Sequence, residues 1–130
     1  MDKLIKLFTS YDISLKLKEN GFNELCIAYY VQKLSGTPLR LIWEENLTNP
    51  IKNSEDFNLT APTYQQVFDW FRETHNIEIS IPAVRFKDKG KFYGGSVKRI
   101  EWDFGKSYGS NHINYYDAID KGINEALKLL

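Results

Sequence analysis

The eighteen residues Thr60-Ala-Pro-Thr-Tyr-Gln-Gln-Val-Phe-Asp-Trp-Phe-Arg-Glu-Thr-His-Asn-Ile77 hold a helix start, an aromatic helix face, a helix stop and the entry to a strand. Thr60 or Thr63 can cap the helix, and Pro62 lies at its start, where a missing N–H is harmless. At about 100° per residue, Tyr64, Val67, Phe68 and Phe71 fall on one stripe, which predicts the core face. His75 lies close to that stripe, and Asn76 suits a left-handed stop. Ile77, Ile79 and Ile81 then alternate with Glu78 and Ser80, the pattern of a strand with one wet face, until Pro82 interrupts it.

The flanking segments extend this to an α+β chain. Ser10 is a good N-cap, Asp12 sits in a first turn, and Lys16 and Lys18 sit in a last turn. Gly21 suits the left-handed C′ position and lets Phe22 fold back on Leu17, so a short helix is expected over 10–21. The stretches 25–33 and 39–45, rich in β-branched and aromatic residues, flank Ser35-Gly36-Thr37-Pro38 and read as a hairpin. Residues 46–62 read as a long polar loop. A second hairpin is expected, with an outgoing strand from Ala83 to Phe86, a turn at Asp88-Lys89-Gly90, and a return through Phe92-Tyr93 and Val97 to Trp102. Gly94-Gly95 inside that return suggests a bulge or a close backbone approach. Asn114 caps a last helix with the stripe Tyr116, Ile119, Ile123, Ala126, Leu127 and Leu130, and Asp117 is placed to pair with Lys121. Gly122 in its middle implies a tight packing contact. The expected order is α-β-β-α-β-β-α, an antiparallel sheet of about four strands from two hairpins with helices on one face.

At 130 residues the chain is expected to be a single domain over 1–130. Seventeen basic and seventeen acidic side chains cancel, which leaves no global field to recruit duplex DNA or an acidic membrane. The lone Cys26 excludes an internal disulfide, and its apolar neighbours predict a buried, inert thiol. No stretch approaches the roughly 20 apolar residues of a membrane span, and the N-terminal residues lack the apolar run of a signal peptide, so a cytoplasmic protein is expected.

Three segments resemble one known family. Ser10-x-Asp12 through Leu17-Lys18-Glu19-Asn20-Gly21-Phe22-Asn23-Glu24 is similar to a helix-ending S-x-E…L-K-E-K-G-F-x-E motif. Thr60-Ala-Pro-Thr-Tyr-Gln-Gln…Trp70-Phe71-Arg72-Glu73-x-His75-Asn76-Ile77 resembles an A-P-T…W-x-R-E-x-H-N-I motif. Tyr115-x-x-Ala118…Gly122-Ile123 resembles a closing Y-x-x-A-x-x-x-A-I helix. The family is one of small, functionally uncharacterised proteins encoded in bacteriophages and prophages. The resemblance spans the chain in outline but departs at Ser14 and Gly122, where the family prefers Ala, and in the hairpins. It implies a phage-accessory setting in a host cytoplasm and carries over no activity.

No catalytic signature accompanies it. His75 reads as a core or capping histidine, and His112 as a loop residue facing solvent. Gly105-Lys106-Ser107 resembles the end of a P-loop, but Ile100 stands where that motif needs its first Gly. Glu101 and Asp103 have strand spacing that sets both carboxylates on one face, as many surface strands do. Charge segregation is the stronger signal. Residues 85–106 hold seven basic groups against three acids, while residues 44–78 hold seven acids against two basics. Aromatic residues thread the basic stretch, which suits a stacked anionic ligand and equally suits a solvated, lysine-rich edge that blocks aggregation.

The candidate ligand-binding residues are therefore Lys91, Tyr93, Lys98, Arg99, Trp102, Lys106 and Tyr108. Trp70, about 60° outside the nearest core residue, is either a wider core or an interface anchor. The leading expectation is a non-enzymatic accessory protein that sequesters an anionic small molecule, such as a nucleotide signal of host defence. It needs no metal or cofactor, and a homo-oligomer would pair its acidic and basic segments. The alternatives are an inhibitor or adaptor that docks on a host protein through Trp70 and the 46–62 loop, and a small enzyme using Glu101, Asp103 and His112.

Overall fold

Ser10 starts the first helix as its sequence implies: its hydroxyl accepts from the Ile13 N–H at 3.3 Å, and helix α1 runs Tyr11–Glu19. It ends in a Schellman motif. Gly21 takes φ +96°, its N–H donates to the Lys18 carbonyl, and the Phe22 N–H donates to the Leu17 carbonyl at 2.9 Å. Phe22 and Leu17 are both buried there. The structure, a computed structural model, describes residues 6–31, 40–43, 58–86, 90–101, 105–107 and 114–130. The expected turns at 35–38 and 88–89 and the loop over 46–57 lie outside them.

Close contacts divide the chain into two units, residues 1–67 and 68–130, and one helix begins in the first and ends in the second. In the first unit, β1 (Ala28–Val31) pairs antiparallel with β2 (Arg40–Trp43), as the hairpin reading anticipates. The polar segment after it is not all loop. Its end forms β3 (Asn58–Thr60), which pairs with the other edge of β1 and completes a sheet of order β2-β1-β3. Leu59 and Thr60 are buried in it, and α1 packs against β3. Backbone bonds close the unit: the Thr9 N–H donates to the Pro62 carbonyl at 2.9 Å, and the Tyr64 N–H donates to the Leu7 carbonyl at 3.1 Å. The buried hydroxyls of Thr9 and Ser14 bond each other at 2.7 Å, and the Tyr30 hydroxyl donates to the Thr9 carbonyl at 2.7 Å. These bonds satisfy polar groups that burial would otherwise strand. Ser14 therefore has a structural reason to be a hydroxyl.

Helix α2 spans Tyr64–His75. Thr63 rather than Thr60 is its cap, with its Oγ1 accepting from the Gln66 N–H at 3.1 Å, and Asn76 ends it at φ 55°. Its buried face is centred on Val67, Trp70 and Phe71, with Tyr64 and Phe68 only half-buried. The stripe is thus turned toward Trp70 relative to the sequence expectation.

In the second unit, β4 (Ile77–Ser80) pairs antiparallel with β7 (Ser96–Arg99), and β8 (Lys106–Ser107) adds to β7. Between β4 and β7 the chain makes a separate two-stranded ribbon, β5 (Ala83–Phe86) with β6 (Gly90–Tyr93). The expected return strand is therefore two strands in two sheets, and Gly94-Gly95 is the break between them rather than a bulge. Helix α3 (Tyr115–Leu127) is capped by Asn114, whose Oδ1 accepts from the Tyr116 N–H at 2.8 Å, and it packs over β4 and β7. The α+β class and antiparallel pairing are as expected, with eight strands in three sheets among the described residues in place of about four in one. No helix among the described residues is long and apolar enough to cross a membrane.

The buried face of α3 is Ala118, Ile119, Gly122, Ile123, Glu125 and Ala126, while Leu130 is exposed and Tyr116 and Leu127 are intermediate. Gly122 is buried on that face, as its position suggested. The expected Asp117–Lys121 pair is replaced by one in the next turn. Lys121 Nζ and Lys128 Nζ approach Glu125 Oε1 at 3.1 and 2.9 Å, and the carboxylate side chain is only 10% exposed. The hydrogen bonds from Lys128 and then Lys121 hold the Glu125 carboxyl below its usual value. A carboxyl depressed in the folded state contributes stability above its unfolded pKa and loses it as pH falls through the folded value. Glu125→Gln should therefore lower stability at pH 7, with the difference from wild type shrinking as pH falls below the usual value of 4.5, as read by urea melts across pH 3–7.

Candidate functional site

Strand pairing and Pro82 together set the ribbon β5–β6 apart from the β4–β7 sheet. Pro82 ends β4, and the Gly94 N–H donates to the Pro82 carbonyl at 3.4 Å, so the ribbon β5–β6 leaves and re-enters the sheet at one point. Its register pairs Ala83 with Tyr93, Val84 with Phe92, Arg85 with Lys91 and Phe86 with Gly90. The one cationic pair thus follows two apolar pairs along it. At its base the Tyr93 ring meets Tyr115 of α3 edge-on, with centroids 5.3 Å apart, and Tyr115 in turn meets Tyr116 at 5.7 Å. Tyr115 is 39% exposed, so a ring fixed by two tyrosines remains open to solvent.

The seven candidate ligand residues are distributed over several elements. Lys91 and Tyr93 are two residues apart on β6. Lys98 and Arg99 are neighbours on β7, and successive strand residues point to opposite faces. Lys98 lies opposite Glu78 in the β4–β7 register. Glu78 already takes a two-point contact from Arg72, Nε to Oε1 at 2.6 Å and Nη2 to Oε2 at 3.3 Å. Arg99, opposite Ile77, donates from its guanidinium to the Leu129 carbonyl just beyond α3. Its role in the structure is to hold the end of that helix. Lys106 stands in β8 opposite Val97, while Trp102 and Tyr108 lie outside the described residues.

Arg85 and Tyr115 are absent from the candidate set, and the ribbon register and the ring contacts draw them into it. The signal for Tyr115 was the Tyr115-Tyr116 doublet directly after the Asn114 cap. Gly105-Lys106-Ser107 enters a strand rather than a helix, which removes the P-loop reading on topology as well. At Gly105 a Cβ would fall 3.3 Å from the Ser96 side chain, which gives this glycine a packing reason. Glu101 is exposed, and Asp103 and His112 lie outside the described residues. Among the described residues, no group of three or more His, Cys, Asp or Glu is placed to hold a metal ion.

Cys26 is buried and donates to the Glu24 carbonyl at 3.5 Å. Burial, opposed by hydrogen bonding to Thr60, pushes its thiol up to about 11, which leaves it without nucleophilic character near neutral pH. His75 sits edge-on to Trp70 at 4.6 Å, and its buried Nε2 has no hydrogen-bond partner among the described residues. Trp70 is 4% exposed and also contacts Phe71 at 4.9 Å. It is a core residue and presents no ring for a partner to grip. Trp70→Ala should cost about 3–5 kcal/mol of unfolding free energy in a chemical melt; an unchanged melt would place the ring at the surface after all. No family model, curated protein or solved structure matches this chain.

Proposed function

We propose that this chain is a non-enzymatic accessory protein that binds and sequesters an anionic small molecule on its basic ribbon. The observation that carries the reading is the direct opposition of Arg85 and Lys91 in the β5–β6 register. Like charges placed opposite each other weaken an antiparallel pair by a few tenths to about 1 kcal/mol. A two-stranded ribbon is marginal in water to begin with. An anion between the two cations converts that repulsion into attraction, and the aromatic residues at the ribbon base supply a flat surface for the rest of the ligand.

The motif resemblance to phage-encoded proteins supports a setting in a host cytoplasm, where a nucleotide signal of host defence is a suitable ligand. Pairing of the acidic stretch 44–78 with the basic stretch 85–106 of a second copy is the corresponding proposal for a homo-oligomer. An inhibitor or adaptor of a host protein loses its named anchor, because Trp70 is buried. Titration calorimetry of the folded protein against linear and cyclic nucleotides and simple polyanions tests the reading. Saturable heat with at least one anion, weakened by Lys91→Ala and by rising salt, is expected. Absence of heat across the whole set overturns it.

A further inference from the structure

We infer that Asn20-Gly21 is a site of spontaneous deamidation, closed by the C-terminal cap of α1 and exposed to reaction when that cap lets go. Asn20 is the only asparagine of the chain that glycine follows. In that pair the Gly21 nitrogen can attack the Asn20 side-chain carbonyl carbon, and glycine has no Cβ to obstruct the approach. Both residues are exposed, and nothing lies within 4 Å of where a Gly21 Cβ would stand. Water and a solvent base therefore reach the reacting atoms.

The reaction needs only solvent. A base removes the Gly21 N–H proton, the nitrogen bonds to Cγ of Asn20, and the Cγ–Nδ2 bond breaks. Nδ2 takes up a proton and leaves as ammonia, so that a five-membered succinimide ring remains. Water then opens the ring at one of its two carbonyls. Opening on the Cγ side gives aspartate, and opening on the main-chain side gives isoaspartate, in which the chain runs through the former side chain.

Three features of the cap keep the reactants apart. The Gly21 N–H donates to the Lys18 carbonyl at 3.1 Å and must leave it before losing its proton. Asn20 Nδ2 donates to the Lys16 carbonyl at 2.7 Å, which holds the side chain back over the last turn. Asn20 has ψ 15°, so the Gly21 nitrogen nearly eclipses the Asn20 backbone nitrogen instead of facing the side chain. Ring closure requires rotation about that bond, which the Gly21 bond to Lys18 and the Phe22 bond to Leu17 oppose. Helix ends open locally at a small fraction of the cost of global unfolding, so the gate is the cap itself. The products then keep it open. Both lack the Nδ2 donor and set a carboxylate at the negative end of the helix. The extra main-chain carbon of isoaspartate also breaks the spacing by which Phe22, 1% exposed, is tied to Leu17.

The test incubates wild type and Asn20→Gln, folded and in guanidinium chloride, and follows position 20 by peptide mass mapping. Asn20→Gln keeps an amide but would have to close a six-membered ring, so it should stay unmodified. Wild type should gain an acid at position 20 in both states, at least about tenfold faster when unfolded, as a reaction confined to a sparsely populated open state requires. Modified protein, separated by its added negative charge and returned to buffer, should lose hydrogen-exchange protection at the Gly21 and Phe22 amides. No acid at position 20 in either state overturns the site. Equal rates in the two states overturn gating by the cap, and unchanged protection overturns the coupling to Phe22.

Discussion

The antiparallel pairing of β4 with β7 is the constraint on which the second unit depends. It brings Ile77 and Val97 onto one face, where both are completely buried beneath α3, each contributing about 1.5–3 kcal/mol of hydrophobic stabilisation. The same register places Glu78 opposite Lys98, and Glu78 is held in turn by Arg72 from the end of α2. Arg99 carries the pairing through to the far end of α3 by binding the Leu129 carbonyl. One alternation of in and out thus gives this small sheet a covered apolar side and a charged side. The basic residues of β7 are distributed by this pattern: Arg99 goes to the helix side and Lys98 to the other.

The first unit is held by a different device. Two backbone bonds, Thr9 to Pro62 and Tyr64 to Leu7, fasten the segment before α1 to the segment before α2. Helix α1 and helix α2 therefore start from one junction, with the Phe8, Ala28 and Ala61 cluster beside it. The buried hydroxyls of Thr9 and Ser14 sit in the same place and satisfy each other. A polar pair is tolerated inside because neither member is left without a partner.

Local chemistry made the helix ends legible in the sequence. Ser10, Gly21, Asn76 and Asn114 each do what their side chains or backbone freedom suggest. The first hairpin, 83–86 as a strand, and the buried thiol were legible for the same reason. Long-range pairing was less so. Nothing within Ser96–Arg99 states that it prefers β4 to β6, because a strand's partner is chosen by distant residues competing for the same edge. For the same reason β3 was concealed in a polar segment, since Leu59 alone marks its buried side. Trp70, one helical step outside the expected stripe, was left between a wider core and an interface, and tertiary packing turned the core face far enough to bury it. At the candidate site, Lys91 and Tyr93 were named from composition, whereas the register of Arg85 and the ring contact of Tyr115 are not contained in it.

The bond from Gly94 to Pro82 closes the ribbon at its root, so β5 and β6 form a loop whose two ends lie side by side. Insertions with adjacent ends can be lengthened, shortened or exchanged without disturbing the strands that flank them. The β4–β7 frame can therefore serve as a fixed mount that tolerates changes in the ribbon. Changes in the ribbon would then leave the hydrophobic interior beneath α3 as it is.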